Sequence, residues 1–199
     1  MRRLIMWNLI TLDGFFEGTE PWSLAFHETI YGDELERLSI DQLDAADALL
    51  FGRRTWEGMA DYWSTAEDEV AGRMNAIAKV VVTRTGVDAT RWPGTTVIGG
   101  DTVEEVRALK AAGERDLYVF GSADLAATLL EAGLFDEVRL AIAPVVLGSG
   151  HPLFARGVPA GPWRLLEARP LTTGGVLVRY EVGAGAASGL AVQPLRISP

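Results

Sequence analysis

Eight short runs rich in Val, Ile and Leu recur along the chain with helical patterns between them, and this alternation restricts the fold more than any single motif. The runs are Arg3–Thr11, Ala48–Phe51, Lys79–Thr83, Thr95–Ile98, Leu117–Phe120, Val138–Val146, Trp163–Arg169 and Val176–Val182. Short buried strands separated by helices argue for an α/β fold, with a mostly parallel sheet covered on both faces. The last two runs are joined by Pro170–Gly175, which contains Thr-Thr-Gly-Gly, and read as an antiparallel hairpin at one edge.

Three helices carry start or stop signals. Thr102-Val-Glu-Glu105 reads as a capping box, followed by an apolar stripe of Val103, Val106 and Leu109. Ser122 is expected to cap the next helix, with Leu125, Leu129 and Leu130 inward and Gly133 as its left-handed stop. A third helix should begin just after Gly52, with Trp56 and Met59 inward. Residues 183–199 are Gly/Ala-rich and non-periodic, so the expected organisation is one domain over 1–182 and a flexible tail over 183–199.

Composition removes several function classes. The formal net charge of −9 repels nucleic-acid phosphates, and no basic stripe offsets it. No apolar run is long enough to span a membrane, and the N-terminal apolar stretch lacks a small-residue cleavage site, so it reads as a strand. The chain has no Cys, which excludes disulfides, thiolate catalysis and Cys-zinc sites. His27 and His151 have no metal-site spacing, so no metal is expected. GxGxxG before a helix, GxxxxGK[ST] and GxSxG are all missing from the sequence.

The motifs that remain lie at strand ends. Phe51-Gly-Arg-Arg-Thr-Trp-Glu57 follows a buried strand and opens a helix, whose free N–H groups and positive dipole end suit a diphosphate. Gly52 lets the backbone approach, while Arg53, Arg54 and Thr55 add donors. The competing reading is an ordinary turn with solvated arginines. Leu117–Leu125 repeats the arrangement with Gly121-Ser122, or is simply a tight turn with a Ser cap. Two such turns on one sheet are more informative than one, because ligands of open α/β sheets bind at strand C-terminal ends. Thr83-Arg84-Thr85 closes another strand with two hydroxyls around an Arg, a trio suited to a monophosphate or to a polar loop entry. Asp13, in Thr11-Leu-Asp-Gly14, is either a loop cap or an acid near substrate.

Taken in order, these pieces resemble the dihydrofolate-reductase-like family, within it the group of the riboflavin-biosynthesis deaminase-reductase C-terminal domain. The matching segments are Thr11–Gly14, Ala46–Thr55, Lys79–Thr85, Val119–Ser122, Gly133–Gly150 and Pro152–Phe154, spread over residues 1–182. The resemblance implies an eight-stranded sheet with flanking helices, NADPH laid across the strand ends, and a cytoplasmic homodimer. It assigns Gly52, Arg53, Arg54 and Thr55 to a first phosphate-binding turn. Thr83, Arg84 and Thr85 are assigned to the adenosine-side phosphate, and Gly121, Ser122 and Ala123 to a second diphosphate turn. Leu9 and Phe16 fall where backbone groups meet the nicotinamide. True dihydrofolate reductases hold the pterin with a carboxylate shortly after a Pro-Trp. Here Pro21-Trp22 is followed by His27-Glu28, so Glu28 joins Asp13 as a candidate acid and folate is not the implied substrate. Trp22, Phe26 and Trp63 are candidates for a flat aromatic pocket. The expected activity is NADPH-dependent reduction of a small C=N or C=O substrate, with a pteridine- or pyrimidine-like ring implied by the resemblance. The alternatives are a non-catalytic nucleotide-sensing module and a flavin- or deazaflavin-linked redox domain.

Overall fold

In the computed structural model, residues 2–154, 158 and 160–183 are described, so the expected tail lies almost wholly outside the described residues. The elements in chain order are β1 (Leu4–Thr11), β2 (Phe15–Glu17), α1 (Asp33–Ala45), β3 (Ala46–Gly52), α2 (Arg53–Trp63), α3 (Glu69–Ala76), β4 (Ala78–Val82), β5 (Thr95–Ile98), α4 (Thr102–Ala111), β6 (Asp116–Phe120), α5 (Ala123–Glu131), β7 (Glu137–Ala143), β8 (His151–Pro152), β9 (Arg164–Pro170) and β10 (Val176–Glu181). A 3₁₀ turn spans Ala25–Thr29.

The main sheet has eight strands in the order β5-β4-β3-β6-β1-β7-β10-β9. Six run parallel, and β10 pairs antiparallel with both β7 and β9. The sheet is therefore mostly parallel with a C-terminal antiparallel hairpin, the architecture implied by the resemblance to the dihydrofolate-reductase-like family. Short β2 and β8 form a separate ribbon beside it.

Side-chain alternation divides the core into two layers. Ile5 and Trp7 of β1, Leu49 and Phe51 of β3, and Tyr118 of β6 pack with α1, α2 and α3 on one face. Leu4, Met6, Leu50, Leu117 and Val119 point the other way and pack with Val106 of α4 and Leu125, Ala126, Leu129 and Leu130 of α5. Strands covered on both sides have no polar face to show, which is why their sequences read as continuous apolar runs.

Two helix starts differ from the sequence reading. α4 is capped by Asp101, whose carboxylate accepts from Val103 N–H and Glu104 N–H, and not by Thr102. Either residue type can cap; the chain turns one residue early, and Thr102 becomes the first helical position. Ser122 stands at the cap position of α5 but makes no capping bond. Its backbone is left-handed, at φ 56°, which turns the hydroxyl away from the helix and toward β3. Gly133 does take the left-handed stop, at φ 64°.

Candidate functional site

The C-terminal ends of β3, β6 and β1 lie side by side, and the chain leaves β3 and β6 in helices that open on the same edge. A single hydroxyl holds the two turns together. Ser122 Oγ accepts from Gly52 N–H at 3.0 Å and donates to Phe120 C=O at 3.1 Å. Ser122 is buried, and Gly52 is half-buried at the same wall.

Helix capping differs according to what each helix faces. α3 is capped by Asp68, which accepts from Ala71 N–H at 2.7 Å, and α4 by Asp101. α2 and α5 have no side-chain cap. α1 also starts without one, at Gly32, a residue that lines neither the outer cleft nor the inner cavity. At α2 and α5, unpaired N–H groups and two positive dipole ends point at common space, the arrangement that binds an anion. Gly52 needs no special conformation, having φ −74° and ψ 157°. A Cβ there would project toward Ser122 and Leu125 with nothing nearer than 3.9 Å, so glycine leaves open a space between the two helix starts.

That space belongs to an outer cleft of about 610 Å³. Gly52, Arg53, Arg54 and Thr55 line it at one turn, Thr83 and Arg84 at the end of β4, and Ser122 and Ala123 at the other turn. Arg53 pairs with Glu57 at 3.0 Å, whereas Arg54 and Arg84 are exposed and form no ion pair among the described residues. Thr85 does not line the cleft; its N–H donates to Thr83 Oγ1 at 3.2 Å and so supports the neighbour that does. Gly99 and Gly100, absent from the sequence reading, also line it. The signal was present, since Ile98-Gly-Gly-Asp-Thr102 repeats the strand–glycine–helix pattern a third time.

Phe16, Glu17, Trp22, Thr55 and Ser122 are shared with an inner cavity of about 210 Å³, so the two spaces adjoin. Leu9 and Gly121 line the inner cavity. Gly121 has φ 58°, and a Cβ there would lie 3.1 Å from Thr55 Cγ2. Trp22 and Trp63 contribute aromatic walls, but Phe26 does not. Phe26 is buried in the core, edge-on to His27 with ring centroids 4.6 Å apart.

Neither candidate acid reaches either space. Asp13 is a loop staple: it accepts from Thr11 Oγ1 at 2.6 Å and from Gly148 N–H at 2.8 Å, and the Thr11 hydroxyl foremost holds its carboxyl below the usual range. Glu28 is exposed on the 3₁₀ turn, and its neighbour His27 faces the cavity instead. Burial pushes the His27 imidazole down to about 4, and its Nε2 is buried with no partner. Glu17 and Asn8 also line the cavity and were not foreseen. Asn8 shares its strand face with Met6 and Ile10 and its Nδ2 lacks a partner. Trp22 has a left-handed backbone, φ 64°, and its N–H donates to Glu17 Oε1. Its ring lies over Gly58 of α2, where a Cβ would sit 1.9 Å from Trp22 Cζ2.

With this geometry established, comparison with known proteins is informative. The sequence profile of the RibD C-terminal domain matches residues 2–177. The chain belongs to the RibD C-terminal domain family. It is 30% identical over 187 residues to the uncharacterized protein YyaP of Bacillus subtilis, covering 90% of this chain and 94% of that one. Among solved structures it is similar to a pyrimidine reductase-like protein of Corynebacterium diphtheriae, with TM-score 0.67, 16% identity, and coverage of 92% and 93%. It is also similar to a diaminohydroxyphosphoribosylaminopyrimidine deaminase/5-amino-6-(5-phosphoribosylamino)uracil reductase of Thermotoga maritima, with TM-score 0.62, 14% identity, 90% of this chain and 56% of that one. A dihydrofolate reductase of Enterococcus faecalis complexed with NADP(H) matches with TM-score 0.59, 16% identity, and coverage of 90% and 95%. At these identities the structures establish the fold.

Proposed function

We propose that this chain is an NADPH-dependent reductase of a small C=N or C=O substrate carried on a ring. The observation that carries the reading is the pair of uncapped helix starts at Gly52 and Ser122, converging on a cleft that holds Arg54 and Arg84 and adjoins an apolar cavity. The residues present fit a phosphorylated dinucleotide. The open N–H groups of α2 and α5 would hold its diphosphate. Thr83 and Arg84 would hold the 2′-phosphate. Phe16, shared by the two spaces, and Leu9, on the inner-cavity side, would meet the nicotinamide. When bound, NADPH supplies a hydride. The protein orients the reacting ring between Trp22 and Trp63 and excludes water from it.

Family membership supports a reductase in general; the cofactor and the substrate are our reading. No helix among the described residues is long and apolar enough to cross a membrane. The homodimer is likewise proposed from the family, with sedimentation as its test.

The cofactor is tested by titrating NADPH and NADH against wild type and Arg84→Ala. Losing one charge-assisted contact costs about 1.5–3 kcal/mol, roughly ten- to a hundred-fold in affinity. NADPH should bind more tightly to wild type by about that factor, and Arg84→Ala should erase most of the difference. Equal affinities in wild type would overturn the reading.

A further inference from the structure

Cationic side chains are segregated between the two spaces, while Glu17 borders both and Asp124 borders the outer cleft. Arg53, Arg54 and Arg84 line the outer cleft, while the described residues lining the inner cavity include no Lys and no Arg. The ionisable groups of the inner cavity supply no positive charge to an anion, and Asn8 Nδ2 and the Tyr31 hydroxyl are neutral donors only. His27 is held neutral at pH 7 by burial, its pKa lowered to about 4. Burial, helped by Glu36 and Asp68, pushes the Tyr31 hydroxyl up to about 12, so it stays a phenol. Glu17 is only 9% exposed, and its carboxyl group has the Trp22 N–H as its hydrogen-bond partner and no ion pair among the described residues.

A carboxyl group in that position accepts a hydrogen bond when ionised and donates one when protonated. When ionised it repels an anion, and when protonated it offers one neutral donor and no counter-charge. A phosphate taken into an apolar space loses its hydration, and only cations or several donors restore that loss. The Thermotoga maritima neighbour is named for a phosphoribosylamino substrate, which carries such a phosphate.

We infer that the inner cavity takes a compact ring compound with neither phosphate nor carboxylate, neutral or cationic, whose N–H faces Glu17, and that a phosphoribosylated pyrimidine is not its substrate. This rests on reading the cavity as the substrate side of the proposed reductase site. Trp22 and Trp63 give the ring flat apolar walls, the unpartnered His27 Nε2 gives it one further polar contact, and Glu17 selects for a donor or a cation.

The test uses the whole protein saturated with NADPH, with binding read by saturation-transfer NMR on ring compounds in matched charge sets. The sets are pterin with 6-aminomethylpterin and 6-carboxypterin, benzyl alcohol with benzylamine and benzoate, and uridine with uridine monophosphate. Within each set the anionic member should bind at least about tenfold more weakly than the neutral one. Glu17→Gln keeps an acceptor for Trp22 N–H. It should weaken the cationic members about tenfold and leave the neutral ones within about twofold. Anionic members that bind as well as neutral ones would overturn the inference, as would a panel in which no compound binds, or a Glu17→Gln variant that affects neutral and cationic members alike. The NADPH titration on the same sample keeps the two proposals apart. Tight NADPH binding with the wrong charge preference overturns the substrate class alone, whereas failure to bind NADPH overturns the reductase reading.

Discussion

Replacing Ser122 separates two effects that pull in opposite directions. In Ser122→Ala, the half-buried Gly52 N–H loses its acceptor, a loss of about 1–2 kcal/mol. The left-handed backbone, φ 56°, remains as unfavourable for Ala as for Ser. In Ser122→Gly the same hydrogen bond is lost, but the left-handed cost of about 1–2 kcal/mol disappears. Against that relief stands glycine's extra freedom in the unfolded chain, about 0.5–1 kcal/mol. The Gly variant should therefore be less stable than wild type but more stable than the Ala variant by about 0.5–1 kcal/mol. Urea unfolding at equilibrium measures both, with an unchanged m value confirming that only stability moved. NADPH affinity should fall in both variants, because the tie that spaces the two helix starts is gone. An Ala variant with wild-type stability, or a Gly variant less stable than Ala, would refute the role given to this hydroxyl and this backbone.

Gly58→Ala would ordinarily stabilise a helix by up to about 1 kcal/mol. Here the new methyl would meet the Trp22 ring, so the variant should shift tryptophan emission and weaken NADPH binding, measured by fluorescence and titration. Stability should rise with pH in two windows, because two buried bases have folded pKa values below their unfolded ones. The unfolded state then binds more protons within each window. His27 acts between about 4 and 6.5 and Lys79, which burial holds at about 8, between there and 10.5. Urea unfolding across pH should show the lower slope vanish in His27→Gln and the upper slope vanish in Lys79→Met. Asp13→Ala should lower the melting temperature while leaving NADPH affinity within about twofold, since Asp13 ties Thr11 to the 147–148 loop and lines neither space.

The sheet was legible because its strands are covered on both faces. Thr95–Ile98 is bounded in the structure as in the sequence, and Leu117–Phe120 differs by one residue. α1 was not read. Its inward residues, Leu35, Leu38 and Leu43, are spaced among acidic and polar residues, and the buried Gln42 breaks the stripe. The outer cleft could be found because each wall is a contiguous motif at one strand end. The inner cavity could not. It collects single residues from separate elements: Glu17 from β2, His27 from the 3₁₀ turn and Ser39 from α1. Glu28, the candidate acid, and His27, which lines the cavity, are adjacent, and on a tight helix one position decides between cavity and solvent. Asp13 was visible as a polar residue, but only the folded loop shows that its carboxylate oxygens accept from Thr11 and from the Leu147 and Gly148 N–H groups.

The unfilled space beside Gly52 has an evolutionary consequence. The backbone there is ordinary and a side chain would fit, so nothing in the fold forbids Asp or Ser. Either would cap α2 and raise stability by about 1 kcal/mol. A carboxylate fixed at that point would also be an inhibitor carried by the chain itself, present at a local concentration no free ligand could match. Selection for thermal robustness alone would thus drive this position toward a protein that folds better and binds nothing. On the proposed reading, glycine at this position keeps the diphosphate space open and forgoes the cap.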